Sequence, residues 1–172
     1  MRLFVALSLN TPTKEALLAA IQQLRRQGRG NFTPPENLHL TLAFLGEVSN
    51  AKPAIKALQQ IQAPAFSLTF HRTGHFGDLY WAGVQPSQEL SRLHQQTTAA
   101  LQAEGFLLEN RLFRPHLTLC REYHFEGPAD VQSIEQAMGT PSCPVERIHL
   151  MSSSRINGQL TYRSIYSRSL EK

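Results

Sequence analysis

The residues of this chain best equipped for chemistry are two histidines in a shared phrase, His39-Leu40-Thr41-Leu42 and His116-Leu117-Thr118-Leu119. Side chains alternate faces along a strand, so each histidine lies beside its threonine while the leucines turn the other way, into a core. An imidazole titrates near neutral pH and can give or take a proton; a hydroxyl can donate a hydrogen bond to a charged oxygen. If the two strands face each other, two imidazoles and two hydroxyls converge on one small volume. One neutral ring then serves as general base and one protonated ring as general acid, which suits the opening of a strained phosphodiester without a metal. A single His-x-Thr strand is commonplace; its repetition carries the reading.

The elements that must position these strands repeat as well. The histidines lie at positions 39 and 116, an offset of 77 residues. At that offset Leu3-Phe4-Val5-Ala6-Leu7 matches Leu79 to Val84 as a leading strand, and each is followed by a Pro-marked helix start, Asn10-Thr11-Pro12 and Gln85-Pro86-Ser87. A helix, the motif strand, a second helix and a closing strand follow in both halves. The expectation is a single bilobal domain over 1–172, with internal repeats at about 1–77 and 78–156 and a closing strand at 159–170. The fold class is α+β: two pseudo-symmetric lobes, each an antiparallel sheet with two helices packed outside, facing across a central cleft.

Local signals place the elements. Thr11 caps the first helix, whose apolar stripe is Leu17, Ala20, Ile21 and Leu24. Pro34-Pro35 predicts an extended loop into the first motif strand, Leu38 to Leu45. Ile55, Leu58 and Ile61 mark the second helix, and Leu90, Leu93, Thr97 and Leu101 the third. Gly77-Asp78 predicts a hairpin turn. Pro128 to Met138 reads as the fourth helix, with Val131, Ile134 and Met138 inward. Two final strands, Val145 to Ile156 and Gln159 to Leu170, meet at Asn157-Gly158, a strong signal for a type I′ hairpin.

Composition narrows the function. Of the 17 basic residues 13 are arginine, against 13 acidic residues, for a formal net charge of +4. Arginine binds phosphate oxygens bidentately, and a basic surface attracts a polyanion. Cys120 and Cys143 lack metal-ligand spacing and are too few for a disulfide framework, which agrees with a reducing compartment. The apolar start Met1 to Leu9 reads as a strand because no small-residue cleavage site follows it. A cytoplasmic monomer without membrane contact, metal or other cofactor is expected. His71 and His75 are four apart, a metal spacing on a helix, but this stretch reads as strand and turn.

Strand parity adds neighbours. Arg114 lies two before His116 and shares its face, as Asn37 does with His39. Phe44 and Arg121 each lie five after their histidine, which strict alternation puts on the far side. A bulge or a strand end would turn both into the cleft, where a ring and a guanidinium suit base and phosphate.

The phrases Asn37-Leu38-His39-Leu40-Thr41-Leu42-Ala43-Phe44-Leu45-Gly46 and Arg114-Pro115-His116-Leu117-Thr118-Leu119-Cys120-Arg121 resemble the two-histidine phosphoesterase superfamily, in its bacterial RNA 2′,3′-cyclic phosphodiesterase branch, also called 2′-5′ RNA ligase-like. The resemblance implies a two-lobed fold and metal-independent hydrolysis of an RNA 2′,3′-cyclic phosphate to a 2′-phosphate, with RNA joining as the reverse reaction in some members. It implies His39 as proton donor, His116 as proton acceptor, and Thr41 and Thr118 as phosphate-oxygen donors; strand parity, not the resemblance, adds Phe44, Arg114 and Arg121 as candidate substrate contacts. The near-symmetry of the motifs leaves the acid and base labels exchangeable. Two other readings stay open: a non-catalytic RNA-binding module, and a phosphodiesterase for another small cyclic phosphate.

Overall fold

The computed structural model of the protein describes residues 1–171. In chain order the elements are β1 (Arg2–Ser8), α1 (Thr11–Gln27), β2 (Gly28–Phe32), a 3₁₀ turn (Pro35–Asn37), β3 (His39–Glu47), α2 (Lys52–Gln59), β4 (Phe66–Phe76), β5 (Leu79–Val84), α3 (Gln88–Ala103), β6 (His116–Phe125), α4 (Val131–Met138), β7 (Ser142–Val145), β8 (Arg147–Ile156) and β9 (Gln159–Ser169). The strands form two antiparallel sheets, ordered β3-β1-β8-β9 and β2-β6-β5-β4-β7. Helices α2 and α3 cover the outer face of the first sheet, and α1 and α4 that of the second. This is the expected α+β arrangement.

Burial follows the sequence pattern along the helices. The stripe of α1 is Thr13, Leu17, Ala20, Ile21 and Leu24, and that of α3 is Leu90, Leu93, Thr97 and Leu101. Both point onto their sheets, where the apolar area removed from water holds the layers together. Three details differ from expectation. Asn10, not Thr11, caps α1: its backbone is extended and its side chain accepts from the Thr13 amide at 3.1 Å. Val131 is exposed rather than inward, because Asp130 caps the helix and leaves Val131 at its first position, short of the sheet. Glu146 interrupts the strand expected from Val145 onward, and the chain changes sheets there, β7 pairing with β4 and β8 with β1.

Between α1 and the Pro34-Pro35 loop, where no element was expected, the chain forms β2, paired with β6. Hydrophobic alternation could not reveal it, since its sequence is Gly28-Arg29-Gly30-Asn31-Phe32. The glycines are needed for close approach: a Cβ on Gly30 would collide with the Cys120 sulfur and lie 2.9 Å from the Arg121 carbonyl.

Each lobe draws on both halves of the sequence. β4, from the first half, pairs with β5 through the tight Gly77-Asp78 turn; β8, from the second half, pairs with β1. Asn157 and Gly158 adopt φ of 51° and 77°, the left-handed pair that a type I′ turn requires, and β9 closes the outer edge of the first sheet beside β8. Among the described residues no helix is long and apolar enough to cross a membrane.

Candidate active site

The two motif strands carry the same burial sequence. His39 and Thr41 are half-buried, Leu40, Leu42 and Ala43 are buried and Phe44 is exposed; His116, Thr118, Leu117, Leu119, Cys120 and Arg121 repeat this position for position. Two consecutive buried residues mean that alternation slips, and the pairings show where. On β3, Thr41 faces Ala6 and Ala43 faces Val5, so Leu42 is extra; on β6, Thr118 faces Trp81 and Cys120 faces Tyr80, so Leu119 is extra. A β-bulge in each strand thus moves Phe44 and Arg121 to the face of the histidines. Phe44 sits opposite Phe4, their ring centroids 6.2 Å apart.

Each imidazole is anchored to the backbone two residues upstream. His116 Nδ1 lies 2.6 Å from the Arg114 carbonyl oxygen, and His39 is bonded to the backbone of Asn37. A carbonyl only accepts, so Nδ1 of His116 carries the hydrogen and Nε2 is left to exchange protons with whatever enters. Arg114 therefore contributes its carbonyl to the histidine, while its side chain is exposed ahead of the strand. Asn37 is buried and its side-chain amide donates to the Leu160 carbonyl at 3.0 Å, which ties the β8–β9 hairpin to the entrance of β3.

The walls around the two rings differ. His39 is sandwiched by aromatics: Phe4 stacks on it at 4.9 Å, and Tyr162 meets it edge-on at 4.9 Å. This burial pushes the His39 pKa down to about 4, opposed by the Asn37 hydrogen bond and helped by the Lys14 charge. Beside His116 stands Phe76, edge-on at 5.1 Å. Burial raises the Tyr162 phenol pKa, opposed in part by the positive charge of Arg121. The strands β3 and β6 adjoin at this junction. Behind Ser8, which faces His39 across the ladder, His149 hydrogen-bonds both Ser8 and Ser164 at 3.1 Å.

Enclosed in this way, His39 is neutral at pH 7. A phosphodiester anion within about 4–6 Å favours the charged ring and raises its pKa, so the ligand itself would charge the imidazole where a proton is needed. The His39 ring should titrate near 4 by NMR in the ligand-free protein and move upward when inorganic phosphate is added. Titration near the ordinary 6.5 without ligand, or no movement with phosphate, contradicts this electrostatic account.

Tyr162, Phe4, Phe76 and His149 carried no motif. Tyr162 is 123 positions from His39, and only the curl of the long hairpin brings them together. His75 hydrogen-bonds the Gly77 carbonyl through Nδ1, and Cys120 and Cys143 are both buried and unbridged. Among the described residues, no group of three His, Cys, Asp or Glu side chains gathers at metal-binding distance.

A duplicated α+β chain with a His-x-Thr strand in each of two sheets, the two strands adjoining, has the arrangement of the two-histidine phosphoesterases. The model of the 2′-5′ RNA ligase superfamily matches residues 13–157, and the chain belongs to that family. It is similar to the RNA 2′,3′-cyclic phosphodiesterase of Thermotoga maritima, 28% identical over 99% of this chain and 96% of the relative. The Escherichia coli protein of the same name is 34% identical over 70% of this chain and 72% of its own. The solved structure of Escherichia coli LigT complexed with 3′-AMP superposes with a TM-score of 0.83 at 28% identity, covering 99% of this chain and 98% of that one.

Proposed function

We propose that the protein is an RNA 2′,3′-cyclic 3′-phosphodiesterase, which opens a terminal cyclic phosphate to a 2′-phosphate. The observation that carries this reading is the matched pair of strands, each presenting a carbonyl-anchored imidazole beside a threonine, with Arg121 turned onto the same face by a bulge. His116 takes a proton from water as its oxygen attacks phosphorus; the P–O3′ bond breaks; His39 gives its proton to O3′. Thr41 and Thr118 donate to the non-bridging oxygens, and Arg121 neutralises charge that grows on them. Phe44 offers a stacking face to the adjoining base, and Arg114 an exposed positive charge to the RNA backbone. The closeness of the relatives that bear this activity in their names supports RNA ends as the substrate class.

Water, two imidazoles and a strained ring complete the proton inventory, so the reaction proceeds without a metal. RNA joining to a 2′-5′ linkage is the same path run backwards. The two unbridged cysteines agree with a cytoplasmic setting, and a monomer is sufficient because one chain supplies both walls of the cleft.

The test is an RNA ending in a 2′,3′-cyclic phosphate, incubated with the protein in EDTA, with the product phosphate mapped. The expected product is the 2′-phosphate, formed at an undiminished rate after exhaustive chelation. Activity that disappears on chelation and returns with one divalent ion would contradict the metal-free part. Binding of RNA without turnover would identify a binding module instead.

A further inference from the structure

The two lobes are related by an approximate twofold, yet their cleft faces are furnished differently at one equivalent place. In the first sheet, Ala6 lies between Thr41 and His149, and the wall there is the polar Ser8–His149–Ser164 chain. In the second sheet, Trp81 occupies the position of Ala6, between Thr118 and Gly74. The indole lies flat over Gly74, where a Cβ would come within 2.5 Å of the ring, and reaches towards Gly83, where one would come within 3.2 Å. Phe76 leans on this indole at 5.3 Å, meets His116 edge-on at 5.1 Å and is 42% exposed. The result is an aromatic ledge against His116, open to solvent.

We propose that Phe76, backed by Trp81, is the stacking subsite for a nucleobase of a second RNA strand, the one whose 5′-hydroxyl takes the place of water at the cyclic phosphate. This rests on the phosphodiesterase reading above. In an in-line displacement the nucleophile and the leaving oxygen stand on opposite sides of phosphorus. O2′ and O3′ belong to one ribose, so that nucleoside lies on the His39 side, against Phe44 and Tyr162. The His116 side receives the nucleophile. Water has no use for an apolar ledge, whereas a nucleoside bearing the attacking hydroxyl presents a π-face that stacks on one. The O5′–P bond forms, its proton passes to His116, the P–O3′ bond breaks and O3′ takes the proton of His39; no further reactant is required.

The chain contains one tryptophan, Trp81, which makes the ledge directly observable. With cytidine 2′-phosphate at saturation, a 5′-hydroxyl RNA tetranucleotide lacking a terminal phosphate should quench Trp81 fluorescence saturably. Phe76→Ala should weaken that binding by roughly tenfold to a hundredfold, the usual effect of removing a stacking aromatic, and Phe76→Tyr should restore it. The kcat/KM loss of Phe76→Ala should also be larger for a 2′-5′-linked dinucleotide than for a nucleoside 2′,3′-cyclic phosphate. Equal losses on the two substrates would mean that Phe76 merely braces His116, and would overturn the proposal. Tetranucleotide binding unaffected by Phe76→Ala would do the same. Quenching that depends on Phe76 in a protein with no turnover of cyclic phosphate would support the subsite and overturn the phosphodiesterase reading.

Discussion

His39→Ala and His116→Ala are each expected to lower kcat/KM on a cyclic-phosphate RNA end by roughly 10²–10⁴-fold, the usual contribution of general acid or base catalysis. The double variant should lose far less than the product of the single losses, because one ring takes a proton and the other gives one in the same displacement, so that they act as a unit. A substrate whose leaving group is already acidic separates the roles. A variant without the general acid should recover most of its rate there, since the departing oxygen no longer needs a proton; a variant without the base should not. Rescue of His39→Ala assigns His39 as the acid despite the low pKa that burial gives it. Rescue of His116→Ala instead would exchange the labels, and the absence of any loss from either substitution would end the catalytic reading. Thr41→Ala and Thr118→Ala should be milder, each removing one neutral hydrogen bond to the developing charge.

Leu40→Ala should destabilise the protein by about 2–5 kcal/mol, the range for truncating a fully buried leucine. Leu40 has no exposed surface and lies in the continuous core. It flanks His39 in sequence yet points to the opposite face of β3, so the loss should appear in urea or thermal unfolding, while catalysis at low temperature persists. Leu117→Ala should behave alike, since Leu117 is 1% exposed. An unfolding change below about 1 kcal/mol would show that the motif leucines are not core residues. Abolished activity in a folded, stable variant would show that the two faces of the strand are not separable.

These paired expectations show what the tetrapeptide encodes. Strand alternation is a property of neighbouring residues, so the assignment of His39, Thr41, His116 and Thr118 to one face and the leucines to the other was legible in the chain alone. The same holds for the helix stripes, which depend on spacing within one element, and for the Asn157-Gly158 turn, whose left-handed backbone suits those two residues. Repetition of the phrase at an offset of 77 residues supplied the bilobal fold.

What only the tertiary structure decided depends on neighbours distant in sequence. Phe44 and Arg121 reach the cleft face because Leu42 and Leu119 are extra relative to the strands beside them, a mismatch that no single strand records. β2 exists because Gly28 and Gly30 let two backbones approach, and glycines carry no pattern of their own. The exchange of β4 and β8 between lobes follows from which strands the short turns force to pair. The difference between the two histidines is likewise tertiary: identical phrases predict identical rings, but Phe4 and Tyr162 enclose His39, while Phe76, backed by Trp81, stands beside His116. Local periodicity determines which face a residue takes; the surroundings of that face, and so the charge an imidazole bears there, are set by chain segments that meet only on folding.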